Sequence, residues 1–536
     1  MLIGRGLAGI YSLSAKLQSI RGWQRYAIAV GLGGLSATAF APLFLIPLLI
    51  PAFVGLLWLW QGAETPKKAA FIGWAFGTGY FAVGLYWVGA AFLVNTARHA
   101  WLMPFAILAL AAGMGLFHLL VGYAMGRLRL QGIERILAFT AIWLFIEWLR
   151  SWIFTGFPWN LIGSVWTFSD QILQFASLAG VWGLSVLSLL VASAPSILFE
   201  GKSLAFPEMK RRVAFVFFIL CMPVLVWGYG AFRLSAASTG DEAFVDNIKL
   251  RLVQPNIRQA DKWKPELRGE HIVTQMQLSA VEGFKDITHV IWAETAVPFL
   301  LSGDKELRSV VSRVVPPSGY LITGAPRVEE LSVDGDIERS FRNSMHVLDR
   351  RGDIIDTYDK FHLVPFGEYV PLKDWIPFLK KMTAGSSDFT PGEGVRTMSV
   401  PGLPAMSMLI CYEIIFPGAV ANSSERPDWI LNSTNDGWFG ITSGPYQHFG
   451  MTQLRAVEEG LPVIRVANTG ISASIDAYGR VVKSLGLGEK GVVDTGLPKK
   501  VSRRTLFSIL GNFSVLILMV LLLLPLVIRR KREAGS

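Results

Sequence analysis

Cysteine is almost missing from this chain, two in 536 residues, and histidine is scarce at seven. Cys221 falls inside a long apolar stretch and has no plausible route to Cys411, so a disulfide framework is excluded. The histidines are scattered, and His346, His362 and His448 lack ligand spacing, which leaves no expected metal site and no expected cofactor. Charge is also thin, at 17% of residues. Glycine is plentiful, but Gly31, Gly33 and Gly34, like Gly77, Gly79 and Gly84, lack the following Lys-Ser/Thr of a phosphate loop. Their apolar surroundings point to close helix packing instead.

What fills the chain is apolar: 52% of residues, with a mean hydropathy of +0.43. Eight stretches approach the ~20 residues that cross a hydrocarbon core: 27–42, 43–61, 69–94, 101–126, 136–157, 172–199, 213–231 and 506–528. No small-residue cleavage site follows a short apolar region near residue 1, so no removable signal peptide is expected. Basic residues recur in alternate connections: Arg5, Lys16, Arg21 and Arg25; Lys67 and Lys68; Arg127, Arg129 and Arg135; Lys202, Lys210, Arg211 and Arg212; then Arg529, Arg530, Lys531 and Arg532. Basic loops stay cytoplasmic, which predicts both termini inside and the long polar block between spans seven and eight outside. The net charge of +10 thus reads as a topogenic signal, and nucleic acid is not an expected partner. The resulting domain plan is 1–233 for seven spans, 234–505 for an exported domain, and 506–536 for an eighth span with a basic tail. Trp58, Trp60, Trp101, Trp152 and Trp159 sit near span ends, as interfacial anchors do. Glu147 and Arg150 lie three apart on one helical face at membrane depth, an expected ion pair or a contact shaping lipid access.

The block 234–505 changes period. Strands are expected at 249–253, 289–294, 320–325, 344–349, around 406–413, and at 429–434, 463–468 and 472–476, with helices at 266–284 and 452–459. Turn chemistry at 349–352 and 477–480 predicts hairpins. Strands alternating with helices over this length suggest a layered α/β domain with two sheets and outer helices.

Several segments in this block carry reactive groups. Glu294 follows HVIWA, Lys360 and Glu368 lie in DTYDKFHLVPFGEYVP, and Cys411 closes the apolar run MSMLI. Carboxylate, ammonium and thiol are the parts that acyl transfer through a thioester requires. The carboxylate takes and returns the thiol proton, and the ammonium stabilises an oxyanion. Taken singly, each residue has an ordinary reading: a core cysteine, a solvated glutamate, a surface ion pair. A lone thiol exported to an oxidising compartment is nonetheless a liability unless it has a task.

Together, Glu294 in WAET, Lys360 in DKFHLVPFGEYVP and Cys411 in ICYE resemble the Glu-Lys-Cys triad of the nitrilase, or carbon–nitrogen hydrolase, superfamily, which implies an α-β-β-α sandwich. With the seven preceding spans, the one that follows, EWLR and TGFPWN, NSTNDGWFG, and QLRAVEEGLPVIRVANTGISASID, nearly the whole chain resembles the apolipoprotein N-acyltransferase family. That resemblance implies Glu294 as base, Lys360 as oxyanion partner, Cys411 as nucleophile and Glu368 as an orienting carboxylate, with Tyr412, Glu413 and Trp263 in support. It implies a ping-pong reaction in the bacterial inner membrane, with the active site on the exported side. A phospholipid, usually phosphatidylethanolamine, is the implied acyl donor, and a diacylglyceryl-modified apolipoprotein the acceptor. Trp375 and Phe378, flanked by Lys373, Lys380 and Lys381, and Trp438 in a glycine-bounded loop, are expected to meet membrane lipid and admit substrate. Two rival readings stay open: a membrane-tethered amidase that uses water as the second nucleophile, and an idle scaffold that binds lipid or lipoprotein.

Overall fold

The two periodicities in the sequence resolve into two compact units, one of Met1–Gly89, Trp101–Ser235 and Leu506–Ser536, the other of Ala90–Ala100 and Ala236–Thr505. The structure is a computed structural model and describes residues 2–200, 206–333, 336–371 and 388–535.

The first unit is helical. Among the described residues, three helices are long and apolar enough to cross a membrane: Thr96–Leu128, Ala176–Phe199 and Phe206–Ser235. A fourth joins them if Pro66–Gly84 and Tyr86–Leu93, bent by 49° at their junction, form one span. The other expected stretches form helices that are shorter or more charged. Trp23–Ala37 has 15 residues, Ile46–Gln61 and Phe513–Arg529 are short apolar helices, and Gly132–Arg150 carries Glu134, Arg135, Glu147 and Arg150. Glycine sets the closest approach between helices, as its spacing suggests. A Cβ on Gly33 would lie 1.9 Å from the Phe76 carbonyl oxygen, and one on Gly79 would lie 2.0 Å from that of Val30, so only glycine lets these backbones touch.

Among the described residues the second unit contains twelve strands: β1 Phe244–Gln254, β2 His289–Trp292, β3 Tyr320–Val333, β4 Asp336–Leu348, β5 Ile354–Asp359, β6 Thr397–Met398, β7 Met406–Ile410, β8 Trp429–Thr434, β9 Val463–Ala467, β10 Ser472–Ile475, β11 Val481–Leu485 and β12 Gly491–Pro498. They form two six-stranded sheets, ordered β12-β1-β2-β3-β4-β5 and β11-β10-β9-β8-β7-β6. Each is built on three adjacent parallel strands, β1 to β3 in one and β7 to β9 in the other, with antiparallel strands outside them. The expected turns at 349–352 and 477–480 do join antiparallel neighbours, β4 to β5 and β10 to β11.

Alternation along the strands separates two apolar layers. Leu250, Leu252, Ile291, Ile322, Met345 and Val347 meet Met406, Met408, Ile410, Leu431, Ile464 and Val466 in a core drawn from both sheets. Val253, Val290, Trp292 and Leu321 face the other way, onto Ile272 of helix Arg268–Ser279 and Val311 of helix Lys305–Val311. Helix Ser443–Glu459 packs against β9. The unit is therefore a helix–sheet–sheet–helix sandwich. At about 1.5–3 kcal/mol for each fully buried aliphatic side chain, the inter-sheet core is what fixes the strand ends relative to one another.

Candidate active site

Two strand ends carry the reactive side chains expected from the sequence, and the turn after a third strand supplies the carboxylate. Cys411 directly follows β7 and has φ +52°, a left-handed conformation that a β-carbon disfavours. Five buried strand residues leading up to it hold the thiol at this sharp corner. Its carbonyl is drawn back into the protein by Asn432 Nδ2 at 3.3 Å and by His448 Nε2 at 3.2 Å, both donating. Glu294 lies in the turn after β2, and Thr295 beside it is also left-handed, with φ +46°. Across from that turn is Gly324 of β3, where a Cβ would fall 2.4 Å from the Thr295 nitrogen and 2.7 Å from the Ala293 oxygen. Lys360 follows β5 directly.

These groups share one buried charge network. Lys360 is 1% exposed, and its Nζ donates to Glu368 Oε1 at 3.0 Å and lies 2.9 Å from Oε2 and 3.6 Å from Glu294 Oε1. Asn343 Nδ2 donates to both carboxylates, at 2.8 Å to Glu294 Oε1 and 2.9 Å to Glu368 Oε1. Glu368 Oε2 also accepts from the Val364 backbone N–H at 2.8 Å. Burial works to lower the Lys360 pKa, but the charges of Glu368 and then Glu294 outweigh it and raise it well above the ordinary lysine value. Lys360 is thus a permanent cation. The Cys411 thiol, 8% exposed, is pushed up to about 12 by burial and by the Glu294 charge, while Lys360 and a hydrogen bond with Thr434 pull the other way. A thiol so held is protonated at neutral pH and would need a base in order to act as a nucleophile.

Glu413 ties the Lys360 segment to the end of the strand that leads to Cys411. Its Oε1 accepts from the backbone N–H groups of Phe361 (2.8 Å) and His362 (3.1 Å), its Oε2 from that of Ile410 (2.7 Å), and the Tyr358 hydroxyl donates to the same carboxylate at 3.0 Å. Burial outweighs these hydrogen bonds and raises its pKa to about 7. Tyr412 packs its ring against His362 and Phe416. Trp263 is half-buried under the Arg268 guanidinium, 6.0 Å from its ring centroid. Trp438 is half-buried in the turn Asp436–Trp438. Trp375 and Phe378 lie outside the described residues.

Glu147 and Arg150 are both buried within the helical unit. Glu147 accepts from Trp143 Nε1, the Ile162 N–H and Ser185 Oγ, whereas Arg150 Nη1 donates to the carbonyls of Phe157 and Trp159. The Arg150 charge acts on the Glu147 carboxylate, and each residue also has hydrogen-bond partners of its own. Together the two residues clamp segment 157–162 against its helix.

Three parts of the catalytic-domain network escape the sequence reading. Asn343 is one. Lys262 is another, 2% exposed, with Nζ donating to the Glu294 carbonyl at 3.0 Å. The third lies beneath Cys411, where His448 Nδ1 is 2.9 Å from Asp436 Oδ1 and 3.1 Å from Arg465 Nη2, and Arg465 also reaches Asn432. Burial and the Arg465 charge lower the His448 pKa and keep it neutral, so this histidine, which lacks ligand spacing in the sequence, buttresses the Cys411 carbonyl.

A two-sheet α/β sandwich whose strand ends and turns bring together a carboxylate, an ammonium and a thiol is the arrangement of a carbon–nitrogen hydrolase domain, and residues 312–505 match the carbon–nitrogen hydrolase family. Residues 32–194 match the apolipoprotein N-acyltransferase N-terminal domain. The chain belongs to the apolipoprotein N-acyltransferase family. It is 39% identical over 530 residues to the apolipoprotein N-acyltransferase of Rhodopseudomonas palustris, covering 96% of this chain and 97% of that one. The relatives from Bradyrhizobium diazoefficiens (39% over 523 residues, 95% and 96% of the two chains) and Rickettsia prowazekii (37% over 497 residues, 93% and 97%) are similar over the same extent. Among solved structures, the Nesterenkonia AN1 amidase of the nitrilase superfamily is 17% identical, with a TM-score of 0.35, covering 47% of this chain and 91% of the amidase.

Proposed function

We propose that the chain transfers an acyl chain from a phospholipid to the free α-amino group of a diacylglyceryl-modified cysteine at the N-terminus of an apolipoprotein, the last step of bacterial lipoprotein maturation. The observation that carries this reading is a single buried, left-handed cysteine facing a carboxylate and a lysine in a chain whose relatives of that name match it end to end.

Cys411 gives its proton to the Glu294 carboxylate as sulfur attacks the donor ester carbonyl, forming a C–S bond and an oxyanion. Lys360 faces that oxyanion, and Glu368 holds Lys360 in place. Collapse breaks the ester C–O bond, Glu294 returns the proton to the departing alkoxide, and lysophospholipid leaves a thioester. The acceptor amine then attacks, Glu294 takes its proton, and amide formation regenerates the thiol.

The fine topology follows from charge. Eight spans, cytoplasmic termini and an exported 234–505 domain in the bacterial inner membrane agree with the basic connections, and phosphatidylethanolamine is the proposed donor. Trp375, Phe378 and Trp438 are proposed to meet lipid. Incubating the purified protein with acyl-labelled phospholipid tests the reading. A hydroxylamine-sensitive label on Cys411 that moves to a diacylglyceryl peptide is expected. Label released only to water would make the protein a hydrolase, and no label would leave a binding scaffold.

A further inference from the structure

The charges around Cys411 do not cancel in pairs. Lys360 is shared between Glu368 and Glu294, so these three side chains carry a surplus negative charge. Such a surplus opposes a thiolate or an oxyanion in a pocket from which water is largely excluded. The second cation is Lys262. Its one hydrogen bond among the described residues goes to an uncharged acceptor, the Glu294 carbonyl, and no described carboxylate lies within ion-pairing distance of its Nζ. An ammonium carries three donors, so two remain for whatever enters.

Lys262 is held there by construction. Its segment is fastened to the second sheet, where Asn435 Nδ2 donates to Gln259 Oε1 at 2.7 Å and Asn468 Nδ2 donates to the Ile257 carbonyl at 2.9 Å. Both asparagines follow parallel strands of the sheet that ends in Cys411. Lys262 therefore reaches from that anchorage to the Glu294 turn of the first sheet.

During attack, the proton that leaves sulfur neutralises Glu294. Lys360 then keeps Glu368 as its close partner, and Lys262 is left to balance the new negative charge. We propose that Lys262 is a positioning residue, fixing the Glu294 turn through its carbonyl and supplying the positive charge against which the Cys411 sulfur, and then the acyl oxygen, become negative. The second half of this role rests on the acyl-transfer reading. Burial, opposed by the charges of Glu294 and Cys411, lowers the Lys262 pKa to about 8, in keeping with a cation that lacks a fixed anion.

The test is alkylation of Cys411 by iodoacetamide in the full-length detergent-solubilised protein, read on its own peptide so that Cys221 does not contribute. Losing one nearby charge raises a thiol pKa by about one unit, and the smaller thiolate fraction, partly offset by higher nucleophilicity, slows alkylation roughly threefold at pH 7, where Lys262 is still mostly charged. Lys262→Met is expected to show that slowing together with a fall in kcat of about tenfold, KM for phospholipid nearly unchanged, and Lys262→Arg is expected to restore part of both. Lys262→Met alkylated at the wild-type rate, with an unchanged melting temperature, overturns the proposal.

Should Lys262→Met not fold, Lys262→Gln takes its place, and the wild-type protein gives an independent reading. Lys360, raised well above the ordinary lysine value, and Asp436, held below the ordinary carboxylate value, keep their charges across pH 8 to 9.5, a range above the Glu413 transition near 7. Deprotonation of Lys262 in that range should flatten the rise of log rate below one unit per pH unit. A full unit slope throughout overturns the proposal. Slowed alkylation in Lys262→Met, with no acyl transfer by the wild type, upholds the charge role and removes the acyltransferase reading alone.

Discussion

At the scale of the residue, each member of the charge network has a separable effect. On the proposed mechanism Glu294→Gln removes both a base and a negative charge. Acyl transfer should fall by about 10²–10⁴, while the Cys411 pKa drops from its value near 12 because the neighbouring charge that raises it is gone. The pH dependence of alkylation measures the second effect and acyl-chain turnover the first, so a purely structural Glu294 would fail on both counts. Lys360→Met strands two buried carboxylates and should cost about 3–5 kcal/mol, read as a lowered melting temperature. Glu413 has a distinct pH signature. Its folded-state pKa, near 7, lies above its ordinary 4.5, so the folded protein holds the extra proton between those values. The stability this group contributes is complete below about pH 4.5 and is lost as pH rises through 7. Denaturant titrations of wild type and Glu413→Gln across pH 4.5–7.5 should show that slope only in the wild type.

At the scale of the element, what the sequence makes legible is the strand with a reactive end. Apolar runs such as MSMLI and HVIW bury completely, and the group just past each is forced to the rim of its sheet. Asn343 was harder to see because 344–349 reads as a whole strand, although β4 begins earlier. Its signal is register: Asn343 stands two residues before Met345 and four before Val347, on the face that enters the inter-sheet core, where an amide needs a reason. Lys262 sits among Asp261, Lys264 and Glu266, so it reads as one of several solvated charges, and only the folded loop shows which one turns inward. His448 lies on Ser443–Glu459, a helix buried on nearly every side, where periodicity cannot single out one inward position. The turn that carries Glu294 allows an element-level test. Gly324→Ala places a Cβ in the 293–295 backbone and should cost about 1–3 kcal/mol by overpacking. Its loss of acyl transfer should exceed what the residual folded fraction explains, measured as activity per folded molecule.

At the scale of the whole molecule, the arginine and lysine pattern makes a topological prediction. A green fluorescent protein fused after residue 536 should fluoresce, because that end is expected in the cytoplasm, and a protease added to intact spheroplasts should cut within 234–505 and leave the terminal tag untouched. A tag lost to external protease would reverse the orientation. Composition announced a membrane chain at once, but the count of spans was less accessible. Gly132–Arg150 carries charges that its own unit buries, and the bend after Gly84 interrupts what reads in one dimension as continuous.

The split origin of the proposed catalytic groups carries a consequence for biogenesis. Glu294 and Lys360 belong to one sheet, Cys411 to the other, and Glu413 stitches the two across the seam. A nascent or half-melted chain can have every strand in place and still be chemically mute, since slippage of one layer over its neighbour by a single pleat parts sulfur from base. Ability to form the thioester is thereby a built-in certificate of finished assembly, and should vanish on heating with the interlayer packing, before the strands themselves dissolve.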